Sequence, residues 1–414
     1  MTEEDFAKSI RKLGGSAYIV GGHVRDMIMG RSFHDKDYCV TGVKEEDFCT
    51  AFPKAARVGR SFPVYLLIID GKTAEVAFAR KERKIGAGYR GFAVHFSPEV
   101  AIEEDLFRRD STMNAMAIRL DDGRLIDPYC GRTDIGLHRI RAVSEHFPED
   151  PVRALRAARQ AAELNFAVDP DTVELMGKCE KELAKEPGER VAKELAKALA
   201  ADRPSIFFRE LQKAKLLQTC FPELYALIGK TQPPQYHPEG DAFEHSMLVL
   251  DLVSYRAQDL AARFAALTHD LGKSATPKEM LPHHYGHEVK GLEALASWNR
   301  RMTLPRTWTK MARFVIKNHM RAPRIKQIGM MADLLMDLDK QRISLGGFKA
   351  IVEADAGDLP PYLQNGENLI AAMKNCASGS NAPRELSGEA ISEWIRERRI
   401  EELRKRLREN QEGE

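Results

Sequence analysis

Ala17-Tyr-Ile-Val-Gly-Gly-His-Val-Arg-Asp-Met-Ile-Met29, followed by Phe33-His-Asp-Lys-Asp-Tyr-Cys-Val40, is the stretch on which the fold turns. An apolar run, Ala17 to Val20, stops at Gly21-Gly22, and a helical pattern takes up from Val24. Two glycines between a strand and a helix let the backbone turn tightly and bring its N–H groups close to an anion. A helix start adds partial positive charge there, and Arg25 adds a full one. In the second segment Asp35 and Asp37 lie two residues apart in a β-like run. Alternation along a strand puts both carboxylates on one face. Two like charges side by side repel, and Mg²⁺ shared with substrate phosphates gives them a reason to stay together.

Working outward, the first 150 or so residues alternate short β-rich runs with helical stretches. Val64-Tyr-Leu-Leu-Ile-Ile69 and Ala74-Glu-Val-Ala-Phe78 are examples, and the pattern is α+β. After Asp150 helical periodicity takes over. A length of 414 residues calls for two to four modules. Lys and Arg number 63 against 61 Asp and Glu, a net charge of +2, which excludes a wholesale polyanion coat but not a local basic groove. No apolar run approaches the ~18 residues that cross a bilayer. The acidic start, Met1-Thr-Glu-Glu-Asp5, is unlike a leader peptide. The six cysteines form no C-x-x-C pair. The expectation is a cytoplasmic, reduced protein, monomer or homodimer, with no membrane partner.

An apolar strand, Gly-Gly, then Asp-x-Asp on the next strand resembles the DNA polymerase β-like nucleotidyltransferases. Three further segments narrow the resemblance to class II tRNA nucleotidyltransferases, the CCA-adding enzymes: Val58-Gly-Arg-Ser-Phe-Pro-Val-Tyr65, Ala79-Arg-Lys-Glu-Arg-Lys-Ile-Gly-Ala-Gly-Tyr-Arg-Gly-Phe92, and Glu104-Asp-Leu-Phe-Arg-Arg-Asp-Ser-Thr-Met-Asn-Ala-Met-Ala117. The resemblance runs over essentially the whole chain. It implies two-metal nucleotidyl transfer on Asp35 and Asp37 with Mg²⁺, and Glu75 as a third carboxylate from a later strand. It also implies that Gly22, Arg25 and Arg109 contact the incoming nucleotide, and that Arg80 to Arg90 form a mobile loop that governs the change from CTP to ATP. In Glu149-Asp-Pro-Val-Arg-Ala-Leu-Arg-Ala-Ala-Arg159, three arginines fall every third residue of a helix. The resemblance makes Asp150 and Arg153 a reader of cytosine and adenine, with Arg156 and Arg159 touching the nucleotide. On residue chemistry alone, a solvated helix carrying an Asp150 to Arg153 ion pair remains open.

Seven of the twelve histidines lie between 237 and 319. His245 in Asp241-Ala-Phe-Glu-His-Ser-Met-Leu-Val-Leu250, His269 and Asp270 in Ala265-Ala-Leu-Thr-His-Asp-Leu-Gly-Lys273, and Asp355 further on resemble the HD phosphohydrolases. That resemblance implies that these four bind a divalent transition metal such as Ni²⁺. His283, His284, His287 and His319 are candidates for supporting or substrate contacts. In the related enzymes this module implies phosphatase, 2′-nucleotidase and 2′,3′-cyclic phosphodiesterase activity. The expected order is a polymerase β-like head with a small mixed sheet (1–139), a helical neck (140–224), an HD domain (225–345) and a helical tail (346–414). The tail completes the metal site and meets tRNA through an amphipathic basic helix. The expected substrates are tRNA 3′ ends, CTP and ATP. Addition of A alone, a poly(A) polymerase, and an HD hydrolase with an inert head are the rival readings.

Overall fold

A computed structural model describes every residue except 33–35, 59–61, 87–90, 379, 381 and 413–414. The chain forms two compact units. Met1–Glu194 with Ile206–Cys220 make the first, and Leu195–Ser205 with Phe221–Glu414 the second.

The first unit is built on a sheet. Its strands are β1 (Ser16–Val20), β2 (Asp37–Thr41), β3 (Ala56–Val58), β4 (Val64–Ile69) and β5 (Lys72–Phe78), with β8 (Ala117–Arg119) and β9 (Leu125–Ile126). Between them in sequence, β6 (Arg80–Lys84) and β7 (Phe92–Phe96) pair as a separate hairpin. The seven-stranded order is β3-β4-β5-β2-β1-β8-β9, with β2 parallel to β5 and the other neighbours antiparallel. Alternation sorts the two faces. Tyr38, Tyr65 and Phe78 pack with Phe6, Phe48 and Phe52 from the helices Glu3–Lys12 and Glu45–Ala51. Val20 and Cys39 point the other way, into a core with Val100, Leu106 and Ala115. Asp37 belongs to this second face, at the open end of β2.

Three features differ from the sequence reading. Arg80 to Lys84 is a strand, not loop; the Arg80 guanidinium lies 3.9 Å over the ring of Phe62 and pairs with Glu82, which holds the strand straight. Ala87 to Arg90, the centre of the expected loop, lies outside the described residues. In the stretch expected to be wholly helical, Ala167–Val168 pairs in parallel with Arg139–Ile140.

The second unit is helical. Its central helix, Leu260–Thr268, is buried from Ala261 onward, the pattern of a helix surrounded by others. Ala242–Arg256, Arg306–Asn318 and Leu345–Ala356 pack on it. Arg263 lies inside this bundle and is satisfied by backbone carbonyls of Leu199, Ala201, Ser254 and Ala257 at 2.7–3.0 Å. The terminal helix Glu389–Glu412 buries Leu403 but gathers no apolar stripe, so the expected amphipathic helix is not found. Several of its cations are engaged, Arg396 with Asp333 and Arg406 with Glu402. No helix among the described residues is long and apolar enough to cross a membrane.

Asp134 is fully buried and accepts from Thr112 (2.7 Å), Arg139 (2.6 Å) and Arg141 (2.9 Å), so it fixes the chain where it leaves the sheet. Asp134→Ala removes the buried acceptor shared by Thr112, Arg139 and Arg141, the two arginines being about a third exposed. It is expected to lower unfolding free energy by about 1–3 kcal/mol in urea denaturation.

Candidate functional site

In the first unit, Asp37 stands opposite Val20 on β1 and opposite Glu75 on β5. Residues directly across a parallel pair share a face at roughly 5 Å, so the carboxylates of Asp37 and Glu75 are exposed neighbours, with Gly21-Gly22 one step beyond Val20. Asp35 lies outside the described residues. Asp37 and Glu75 offer only oxygen donors at a surface open to water and phosphate. That suits a hard ion of the Mg²⁺ kind.

The glycine elbow is tight. Gly21 has φ 75°, and a Cβ on it would meet Arg109 Nη1 at 2.8 Å. The positive φ favours glycine here, with the Arg109 guanidinium close over it; the sequence reading names its neighbour, Gly22. Arg109 is held over the elbow by Asp105 at 3.1 Å, and its Nε is buried without a hydrogen-bond partner. Arg25 is not a free arm. It is buried, bonded to Asp26 (2.8 Å) and to Asn114 Oδ1 (2.9 Å).

Asn114 in turn donates to Asp110 at 3.1 Å, and Asp110 accepts from Arg156 (2.6 Å) and Gln160 (3.2 Å). A continuous buried network thus runs from the elbow to the helix Val152–Leu164. Sequence reasoning missed Asp105 and Asp110 as its nodes; the run of charges Asp105 to Asp110 was the only signal. Burial pushes the Asp110 carboxyl up, but Arg156, Asn114 and the Ser111 N–H outweigh it and hold it well below its ordinary 3.8.

The four expected base-reading residues have separate partners. Asp150 accepts from the Val152 N–H at 3.2 Å and lies 3.5 Å from Arg190, rather than pairing with Arg153. Arg153 is buried and donates to the carbonyls of His146 (3.1 Å) and Arg108 (2.6 Å). Arg156 is on Asp110, and Arg159 is held by Glu194 and Glu163.

In the second unit, Asp241 caps the helix that carries His245, accepting from Phe243 and Glu244 N–H groups. His269 ends the central helix, with Asp270 next. Asp355 lies in the last turn of Leu345–Ala356. The four converge: His245 Nε2 is 3.0 Å from Asp355 and 3.8 Å from Asp270, and His269 Nε2 is 3.2 Å from Asp270 and 3.6 Å from Asp355. Glu239 accepts from His245 Nδ1 at 2.5 Å and sets that ring's tautomer; it too was missed. Lys273 Nζ is 2.6 Å from Asp270. His287 and His319 lie against Asp270, whereas His284 bonds Thr276 and the Thr231 carbonyl, and His283 stacks on Tyr285. Burial opposes charge on Asp270, but Lys273 and His269 keep it well below the ordinary range. Burial likewise disfavours charge on His269, yet Asp270 and Asp355 raise it to about 10. His269 Nε2 and Asp270 Oδ1 are buried without a hydrogen-bond partner, and mixed imidazole and carboxylate donors suit a transition-metal ion. Among the described residues, all groupings of three potential metal ligands lie in this region.

Known proteins match in the same order. Residues 17–141 match the Poly A polymerase head domain, 165–227 the family described as the probable RNA and SrmB-binding site of polymerase A, and 242–350 the HD domain. Asp355 falls beyond the last match. Fold and centres together define a nucleotidyltransferase joined to an HD hydrolase domain, an enzyme dependent on divalent metal. The chain is 43% identical over 348 residues to the multifunctional CCA protein of Alkalilimnicola ehrlichii, covering 82% of this chain and 83% of that one. It is 41% identical over 408 residues to that of Methylococcus capsulatus, covering 94% of each. The chain belongs to the multifunctional CCA protein family. The fold is shared with the Bacillus stearothermophilus CCA-adding enzyme in complex with CTP (TM-score 0.68, 25% identity, 99% of this chain and 98% of that one). It is also shared with the Thermotoga maritima enzyme complexed with tRNA (TM-score 0.63, 20% identity, 97% and 90%).

Because the folded pKa of Asp110 is depressed, its contribution to stability is full above the unfolded value of 3.8 and is lost as pH falls below it. The stability difference between wild type and Asp110→Asn, read from urea midpoints, is expected to be constant above about pH 5 and to shrink below about pH 4.

Proposed function

We propose that this chain adds C, C and A in turn to tRNA 3′ ends from CTP and ATP without a nucleic-acid template, and that its HD domain hydrolyses phosphoesters at such ends. The pairing of Asp37 with Glu75 beside the Gly21 elbow carries the first half of this reading. Relatives solved with CTP, with ATP and with tRNA support these partners.

Asp35, Asp37 and Glu75 hold Mg²⁺, which when bound favours ionisation of the attacking 3′-hydroxyl and balances the charge of the leaving pyrophosphate. The N–H groups of Gly21 and Gly22 meet the triphosphate, and Arg109, placed by Asp105, neutralises it. Arg25 acts as a fixed support under the elbow. Asp150 accepts from the exocyclic amine of cytosine or adenine, and Arg153 donates to the adjacent ring acceptors. Uracil and guanine set a carbonyl against Asp150, so two acceptors face each other and a hydrogen bond to a charged group, worth about 1.5–3 kcal/mol, is not made. Arg156 and Arg159 keep the reader helix in place through their carboxylates.

The head is assigned to 1–139, the neck to 140–224, the HD domain to 225–345 and the tail, with Asp355, to 346–414. In the HD domain His245, His269, Asp270 and Asp355 hold a transition metal such as Ni²⁺. Its substrates are terminal phosphates, 2′-nucleotides and 2′,3′-cyclic phosphates, whose removal exposes an end that the head can extend. The setting is the cytoplasm.

The deciding experiment offers the protein tRNAs lacking CCA, CA or A, with each nucleoside triphosphate separately. Extension of the first by CTP and then ATP supports the reading, and extension of the third alone reduces it to A addition. Asp37→Ala is expected to cut incorporation of both nucleotides by about 10³-fold or more while sparing phosphatase turnover; Asp270→Ala should do the reverse. With Arg153→Ala, ratios of CTP and ATP to UTP and GTP incorporation should fall by about 10-fold or more.

A further inference from the structure

Two tyrosines of the helical unit hold their rings out in water: Tyr236 is 74% exposed and Tyr285 77%. One exposed ring is ordinary on a protein surface, but these two share a place. Their loops both run over the HD centre. Tyr236 precedes His237, whose ring packs on that of His245 with centroids 4.6 Å apart. Tyr285 stands two residues before His287, which lies 3.4 Å from Asp270. The loops are tied to one another, because His284 Nε2 donates to the Thr231 carbonyl at 3.0 Å. The second loop also sits low over the His-Asp turn. A Cβ on Gly272 would lie 1.8 Å from the His287 carbonyl, an approach that only glycine permits.

Toward the first loop the cluster opens to water. The side chains of His245, His269 and Asp270 are 4% exposed or less, whereas those of His237 and Glu239 are 19% and 18% exposed. On the same loop Gln232 is buried; its Oε1 accepts from Lys273 Nζ, and its Nε2 has no hydrogen-bond partner. A lysine can only donate, so the amide must turn its oxygen to Lys273 and leave Nε2 as a donor. A buried donor without an acceptor is unfavourable, and a phosphate oxygen arriving beside Lys273 satisfies it. Both rings are also steadied in advance. Pro233 and Pro234 fix the backbone just before Tyr236. His283 stacks on Tyr285 with centroids 5.8 Å apart and planes at 22°. A ring already held loses less freedom when a ligand covers it.

We propose that Tyr236 and Tyr285 stack on the base of the nucleotide whose phosphoester is hydrolysed at the HD centre, so that the domain selects nucleotide ends over other phosphate esters. The occupant is a nucleobase because the ester that the centre takes carries one within the span of a single nucleotide. Unpaired bases at RNA ends stack on aromatic side chains in this way, with little regard to which base is present. This rests on the reading of the domain as a hydrolase of nucleotide phosphoesters.

The test uses the full chain loaded with Ni²⁺ and follows phosphate released from 2′-AMP and from glycerol 2-phosphate, which is also a monoester of a secondary alcohol but has no base. Wild type is expected to favour 2′-AMP, and equal kcat/KM for the two overturns the stacking site. Tyr236→Ala with Tyr285→Ala is expected to raise KM for 2′-AMP and to lower the ratio of kcat/KM for 2′-AMP to that for glycerol 2-phosphate by about 10-fold or more. Tyr236→Phe with Tyr285→Phe keeps the rings and is expected to keep the ratio. A ratio unchanged in the alanine variant, or lost equally in the phenylalanine variant, overturns the stacking site and leaves the hydrolase reading intact. Release of phosphate from neither substrate by wild type overturns that reading, and the proposal with it. Should the alanine variant not fold, adenosine and ribose are compared as inhibitors of wild-type glycerol 2-phosphate hydrolysis. Inhibition about 10-fold or more stronger by adenosine supports the proposal, and equal inhibition refutes it.

Discussion

Asp270 is a carboxylate taken almost wholly out of water in the middle of the helical unit. Moving such a charge into the interior costs several kcal/mol unless positive charge and hydrogen bonds meet it there. That requirement arranges the unit. The starts of two helices (His245, His287) and the ends of two more (His269, His319) bring imidazoles to this carboxylate, and Asp355, in the last turn of a fifth, meets His245 and His269 beside it. The same helices bury the apolar residues of the core, so packing and chemistry are not separable in this half of the chain. A substitution that loosens the bundle also opens the ligand set.

The sheet-based unit handles buried charge in the opposite way. Asp105, Asp110 and Asp134 are each matched by arginines and hydrogen bonds from within the protein. Nothing is left over for an ion. A satisfied network of this kind rigidifies its surroundings, and what it rigidifies is the floor under the elbow and the start of the Val152–Leu164 helix. The carboxylates of Asp37 and Glu75 then stand exposed on a firm edge.

What the sequence disclosed follows from range. Period-two alternation and the Gly-Gly stop made β1, β2 and β5 readable, whereas the shared face of Asp37 and Glu75 follows from the parallel register of β2 and β5, which no local pattern encodes. His-Asp-Leu-Gly-Lys, with His245 a helix away, marked the metal cluster. The links between residues remote in sequence stayed hidden. Nothing in the spacing shows that Asn114 reaches Arg25, or that Arg156 reaches Asp110 rather than solvent. Three arginines at equal intervals looked like one row of equivalent hands, but tertiary neighbours sent them to carbonyls, to one aspartate and to two glutamates. His287 and His319 were ambiguous for the same reason: only the approach of α-helical backbone at Gly272 decides that His287 meets Asp270.

The two centres therefore differ in how complete they are before substrate arrives. The head contributes a few oxygen donors at an open surface, and hard ions held this way keep several waters and rely on phosphate oxygens for the rest of their shell. On the proposed reading, an ion held there would depend on the nucleotide for part of its shell. The HD cluster is buried and carries nitrogen as well as oxygen donors, enough to hold an ion without help. The two donor sets therefore differ in hardness, so one and the same divalent ion is not the best fit for both.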